Sequence, residues 1–290
     1  MHLNDIRKEL QVWILAEETA GRSVDINRVN EHLQEIMIRQ NSASRSDFNG
    51  LSPEDMHNIM YDPFRDQCVV QLNKLDKNQY ELVPLIRQAL FLLNTLNEKD
   101  LKLTKLGWLP LKIVADAYRI GQPEWIIEEL KQKRINEYEA GAVWMARIIL
   151  ELLGWIKTRK GVLSLTVKGR KAFSNIDAAA NEILRFSLVG VGLHTFDAVE
   201  DDRIGNLGIA YSVWLLNQFG SEWHFGSFYQ EHYQKAFNFP DKYTIYETRV
   251  FSRLFYWLGI VEMRLNKQIG PPFQWEYRKT DLLPMIFSFK

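Results

Sequence analysis

Residues 138–173 read YEAGAVWMARIILELLGWIKTRKGVLSLTVKGRKAF, and how this stretch folds decides how the rest of the chain is read. Over residues 142–153 nearly every side chain is apolar. The exceptions, Arg147 and Glu151, are four apart, so they share one helical face and can pair across a turn. A helix with so narrow a polar stripe is mostly buried. Gly154 ends it, as glycine does just past a helix. Residues 155–159 (WIKTR) carry aromatic and β-branched side chains suited to a strand. Lys160-Gly161 supplies a turn, and residues 162–165 alternate back as a second strand. Thr166 is a good N-cap for the helix that follows. Helix, hairpin and helix in this order predict the C-terminal half of a winged-helix unit.

Outward from this stretch, a similar pattern occurs twice more. Residues 101–107 (LKLTKLG) and 163–169 (LSLTVKG) share the spacing L-x-L-T-x-x-G, each between a buried helix and a new one. A looser copy closes the chain. Leu258-Gly259 matches Leu153-Gly154, residues 260–264 predict a strand, residues 273–277 pair back to it, and Thr280 caps a last helix. Pro271-Pro272 lengthens that hairpin tip. Three matches with the same flanking order argue for repeated winged-helix pieces.

Before the first copy, Ile6, Leu10, Trp13 and Ile14 recur at helical spacing, and Gly21 closes that helix. Ile26, Val29, Leu33, Ile36 and Met37 define a second, so residues 1–40 predict a helical hairpin. Residues 41–50 (NSASRSDFNG) form the clearest linker. Ser52 then caps a short helix with Pro53 at its first position and Asp55 at its positive end, and Pro63 stops it. Residues 82–96 form a strongly apolar helix. Three more helices lie between the second and third copies. The expected division is therefore residues 1–40, a helical hairpin; 51–173, helices with the central winged-helix unit; and 174–290, helices with a C-terminal winged-helix-like unit. The fold class is mainly α, helical hairpins with tandem winged-helix-like units whose wings are small β-hairpins.

With 290 residues, 46% of them hydrophobic, nine Trp, sixteen Phe and eleven Tyr, the chain can bury a sizeable core. Lys plus Arg equals Asp plus Glu at 36 each, so net charge gives no global pull towards nucleic acid or an anionic membrane. The single cysteine, Cys68, excludes an internal disulfide framework and fits a reducing compartment. No apolar run approaches the ~20 residues needed to cross a bilayer. A cytoplasmic location without membrane contact is the expectation.

At residues 51–64 (LSPEDMHNIMYDPF), 101–114 (LKLTKLGWLPLKIV) and 154–173 (GWIKTRKGVLSLTVKGRKAF) the chain resembles a family of uncharacterised bacterial proteins. Some members carry a SEC-C motif and some are named after a plasmid open reading frame. Order and spacing are similar over residues 3–173 and weaker beyond. Trp108 stands where that family has Asn, and the zinc-ligand cysteines of a SEC-C motif are absent, so the resemblance carries over no metal. It implies a fold neighbourhood and a bacterial source, and no activity.

Catalytic and cofactor signatures are sparse. No pair of the six histidines has the helical spacing of a zinc site. There is no phosphate-cradling G-x-x-x-x-G-K or G-x-G-x-x-G and no G-x-S-x-G. No cofactor and no catalytic residue is assigned. His194 with Asp197, Glu200, Asp201 and Asp202 is the one gathering of imidazole and carboxylates. A metal-dependent enzyme there is the third reading, and an exposed acidic loop outweighs it. The basic residues offer more. Lys157, Arg159, Lys160, Lys168, Arg170 and Lys171 fall together with no acid among them, a wing that can lie along phosphates. In the third copy Arg249, Ser252, Arg253 and Tyr256 share one α-helical face, with Arg264 and Lys267 in the wing. These ten basic residues are the candidate nucleic-acid contacts. The leading reading is a non-enzymatic interaction or scaffold protein with a protein partner, since fold does not fix function. The alternative is a DNA- or RNA-binding regulator.

Overall fold

The Asp25 carboxylate accepts hydrogen bonds from the amides of Asn27 and Arg28, both at 3.0 Å, and so starts the helix Ile26–Ser42 (α2). This helix folds back on Leu3–Thr19 (α1) through a turn that uses Gly21 at a φ of 71°. Trp13 stacks on His32 with ring centroids 4.3 Å apart, and Glu17 takes both Arg22 and Arg28 at 2.6 Å. The expected helical hairpin is formed. Ser52 and Asp55 bond reciprocally, the Ser52 hydroxyl accepting the Asp55 amide at 3.0 Å and Asp55 accepting the Ser52 amide at 2.9 Å. They open the helix Pro53–Tyr61 (α3).

The computed structural model describes residues 3–197, 199–238, 245–266 and 274–290, and it is mainly helical. Pro271, Pro272 and Phe273, expected at the last hairpin, lie outside the described residues. The chain forms two units, Met1–Asn58 and Ile59–Lys290. Among the described residues no helix is long and apolar enough to cross a membrane.

The second unit begins with a short strand, Val70–Leu72 (β1), and one turn of helix, Lys77–Tyr80 (α4), closed by the Asp76/Gln79 capping box. Its central helix is Pro84–Glu98 (α5). Pro84 needs no amide partner at a helix start, and the buried row Leu85, Ile86, Ala89, Leu92, Leu93 and Leu96 recurs at helical spacing. After α5 come strand Leu101–Lys102 (β2) and helices Leu111–Arg119 (α6), Trp125–Glu129 (α7) and Gly141–Leu152 (α8). The hairpin Ile156–Arg159 (β3) and Val162–Leu165 (β4) follows, then helix Val167–Phe173 (α9). α5 packs against α6, α8 and α9. Lys160 and Gly161, at φ values of 51° and 74°, make the tight β3–β4 turn, the two-residue geometry that matches strand twist.

β2 changes the repeat count. Leu101 pairs with Leu163 and Lys102 with Val162, so the sheet order is β2-β4-β3. The segment at 101–107 is therefore the first strand of the central sheet, not the start of a separate copy. Its two T-x-x-G motifs also do different work. Thr166 caps α9 by accepting the Gly169 amide at 3.0 Å, and Gly169 lies so close to Trp155 that a Cβ would sit 2.0 Å from the Trp155 carbonyl oxygen. Thr104 instead accepts the Trp108 amide at 3.0 Å in a turn where Gly107 takes a φ of 81°. The Gly107–Leu109 turn is held by a buried network: Arg147 Nη1 donates to the Gly107 carbonyl at 2.9 Å and to Glu137, and Glu137 accepts the Leu109 amide at 2.6 Å. Arg147 also pairs with Glu151 at 3.0 Å, as the i, i+4 spacing predicts.

The same order of elements returns after helix Ile176–Val189 (α10). Helix Ile209–Phe219 (α11), strand His224–Phe225 (β5) and helix Gly226–Phe237 (α12) lead to a continuous helix over residues 245–258 (α13). Strands Val261–Asn266 (β6) and Gln274–Lys279 (β7) complete a sheet of order β5-β7-β6. Helix Leu282–Ile286 (α14) leads into a last strand, Phe287–Phe289 (β8), which pairs antiparallel with β1. Phe64 packs on Phe287 beside that pairing, at 5.5 Å between centroids.

Candidate functional site

The middle of α13, Thr248–Phe255, is a π-helix, whose hydrogen bonds span five residues. Its wider turn decides which side chains leave the core. Glu247 and Thr248, then Ser252 and Arg253, then Tyr256 and Trp257 follow one another at spacings of four to five and all line one cleft. Arg249, placed on the same face as Ser252 and Arg253 by α-helical spacing, turns inward and has no exposed surface. Its guanidinium reaches both Asp197 oxygens at 2.8 and 2.9 Å and the carbonyls of Val199, Asp201 and Ile204 at 2.6, 2.5 and 3.0 Å.

The cleft holds about 750 Å³ and lies between α7, α8, α13 and the β5-β7-β6 sheet. Aromatic rings make its walls. Trp144 of α8 meets Phe196 edge-on at 5.1 Å, and Phe196 meets Trp257 of α13 at 5.4 Å. Trp125 of α7 meets Trp275 of β7 at 5.6 Å. Two carboxylates lie against helix starts that carry glycine. Glu124 accepts the Ala142 amide at 3.0 Å at the head of α8, and a Cβ on Gly141 would sit 3.3 Å from its other oxygen and 2.7 Å from the Trp257 ring. Glu247 lies over Gly226 at the head of α12, where a Cβ would fall 1.9 Å from its carboxyl carbon. Only glycine leaves room at both places.

Burial pushes the Glu124 carboxyl up to about 7, against the amides of Ala142 and Gly141 and the charge of Arg253, which pull it down. Glu247 is also raised by burial, opposed by its bond from the Tyr277 hydroxyl at 2.9 Å. That hydroxyl gives its one proton to Glu247, so Ser252, 2.6 Å away, is the donor in the Ser252–Tyr277 bond. Among the described residues the cleft's one cation is Arg253, which bonds Asp197 at 3.1 Å. The Gln132 side-chain oxygen is buried in the lining with no hydrogen-bond partner.

The basic residues separate into three groups. Lys157, Arg159, Lys160, Lys168, Arg170 and Lys171 are all exposed. Strand register sets Lys157 and Arg159 on the same outer face of the central sheet as Lys102, which was not singled out from sequence. Lys168 bonds the Leu153 carbonyl at 2.9 Å and Arg170 the Leu165 carbonyl at 3.5 Å. Arg249 and Arg253 belong to the Asp197 network, so Arg249 is withdrawn from any surface role by burial. Arg264 pairs with Glu276 at 2.6 Å and stacks over Trp223 at 4.3 Å, which leaves its charge compensated. Lys267 lies outside the described residues.

Within the acidic segment after His194, Asp197 binds Arg249 with its side chain 9% exposed, while Glu200 and Asp202 are exposed, as an exposed loop would have them. Asp201 pairs with Arg203 at 2.8 Å. Among the described residues no group of three His, Cys, Asp or Glu is placed to hold a metal ion. Compared with protein-family models, with curated proteins and with solved structures, the chain matches none.

Proposed function

We propose that the protein is a non-enzymatic binding protein in which two winged-helix units form a rigid scaffold around the cleft, and that its ligand or partner segment sits there. The units are α5-β2-α6-α8-β3-β4, with α7 inserted, and α11-β5-α12-α13-β6-β7. The observation that carries the proposal is the fate of their third helices, α8 and α13. A helix that reads a major groove exposes a row of polar side chains. Of α8 only Leu152 is exposed, and of α13 no residue is. Both helices instead contribute to the wall of the same cleft. Kinship with the uncharacterised bacterial family is part of this proposal, because residues 101–114 and 154–173, which carry the resemblance, include the central sheet.

Four of the nine tryptophans, Trp125, Trp144, Trp257 and Trp275, line the cleft, so a bound ligand should change intrinsic fluorescence. The test is a titration with a set of aromatic fragments, repeated in Ser227→Phe, which adds bulk at an exposed position on the cleft wall. Binding in the natural protein that weakens in the variant is expected. If no fragment alters the fluorescence, or the variant binds equally well, the cleft is not the site.

A second reading, nucleic-acid binding, is favoured by the outer face of the central sheet. Lys102, Lys157, Arg159 and Lys160 are exposed there and none forms an ion pair among the described residues. Binding to mixed duplexes that weakens steeply with salt, and is lost on Lys157→Glu/Arg159→Glu, is the expected signature. Salt-independent or absent binding at low ionic strength would dismiss it.

A further inference from the structure

We infer that the cleft takes an organic cation, an ammonium or guanidinium group carried on an apolar or aromatic body. The inference rests on the binding reading above and deepens it by naming the ligand's chemistry. Among the described residues the lining presents three carboxylates, Glu124, Glu139 and Glu247, and one guanidinium, Arg253. Arg253 bonds Asp197, which also carries Arg249, and acts on Glu124, so among the described lining residues three carboxylates face one arginine. One buried acceptor points the same way. The Gln132 oxygen is a buried acceptor without a donor, while the Ser252 and Tyr277 hydroxyl protons are spent within the Ser252–Tyr277–Glu247 chain. A ligand donor with positive charge would meet both the Gln132 oxygen and the carboxylates.

The walls favour the same ligand. Trp144, Trp257, Trp125 and Trp275 present aromatic surface around these acceptors, and a cation is attracted to the face of a tryptophan ring more strongly than to other side chains of its size. A neutral aromatic compound would fill the apolar walls and leave the acceptors unmatched. An anion would meet the carboxylates and find Arg253 occupied. Burial raises both Glu124 and Glu247, although the charge of Arg253 pulls Glu124 part of the way back down.

The test compares two probes of nearly equal shape, 2-phenylethylamine and 2-phenylethanol, by calorimetry on the full chain at pH 8. The amine is expected to bind roughly tenfold tighter or more, a preference of the size a desolvated cation–aromatic contact gives. Glu124→Gln and Glu247→Gln should each reduce that preference while leaving the alcohol's affinity unchanged, with thermal unfolding as the check that each variant is folded. Equal affinity for the two probes would overturn the inference and leave the cleft as an apolar site. Binding of neither would overturn both this inference and the reading it rests on. A capped Phe-Arg dipeptide, run alongside, separates the sources of the cation. Tighter binding than the amine identifies a side chain of a protein partner, and weaker binding identifies a free small molecule.

Discussion

Arg249→Met removes the charge at the centre of the second unit and nearly preserves the length and apolar stem of the side chain. The guanidinium has no exposed surface and makes five hydrogen bonds, two of them to Asp197. Without it, Asp197 keeps Arg253 and the Val199 amide, and the carbonyls of Val199, Asp201 and Ile204 lose this donor. Breaking a buried pair by removing one partner costs about 3–5 kcal/mol. We expect urea unfolding of Arg249→Met to shift by that amount, with an unchanged slope. Asp197→Asn should cost less, because the three carbonyl bonds remain. The double variant should cost less than the two singles together, by roughly 0.5–3 kcal/mol, as expected for residues in direct contact. Acid supplies a second check. Burial raises the Asp197 carboxyl, but the hydrogen bonds from Arg249 and the Val199 amide and the charges of Arg249 and Arg253 together hold the group below its ordinary value of 3.8. A lowered carboxyl adds stability above its ordinary value and loses it as pH falls through the lowered one. The gap between natural protein and Arg249→Met should therefore narrow in strong acid. A cost under about 1 kcal/mol, or strict additivity with Asp197→Asn, would refute the account of Arg249 as a buried hub.

Two further outcomes follow from the geometry. Gly169→Ala would gain roughly 1 kcal/mol by helix propensity at an unconstrained site, but its Cβ would meet the Trp155 carbonyl at 2.0 Å. A net loss of about 1–3 kcal/mol in thermal or urea unfolding is expected, and a stabilised variant would show that α9 shifts freely. For Glu124, a carboxyl raised from 4.5 to about 7 in the folded state contributes its stability below 4.5 and loses it as pH rises through 7, at most about 3 kcal/mol. Urea midpoints of Glu124→Gln measured at pH 5 and pH 8 should lack that share of the decline, and parallel pH profiles for the two proteins would contradict it.

The parts of this fold that local sequence could reveal are those whose periodicity is local. The apolar run of α8, the Lys160-Gly161 turn and the Thr166 cap each declare themselves within a few residues, and each is found in place. The β6–β7 hairpin is likewise legible in its strands. Pairing across long separations is not. Leu101–Lys102 is two residues long, and nothing in its composition says that its partner is Val162 and Leu163, some sixty positions on. His224–Phe225 joins β7 in the same silent way, and Val70–Leu72 finds Phe287–Phe289 across almost the whole second unit.

The cleft was hidden for a related reason and a sharper one. Its walls are assembled from α7, α8, α13 and β7, which no window of sequence brings together. The sharper reason is the π-helix. Reading residues 249, 252, 253 and 256 at α-helical spacing puts Arg249 beside Arg253 on one face and suggests a phosphate-binding row. Bonds that span five residues rotate Arg249 into the core and bring Glu247 and Thr248 into line with Ser252 and Arg253. A change in helical pitch over Thr248–Phe255 thus exchanges a basic face for a mixed one that holds an acid, two hydroxyls and one paired arginine. That exchange turns the face where α-helical spacing offered candidate nucleic-acid contacts, the alternative reading of the sequence, into part of a cleft wall.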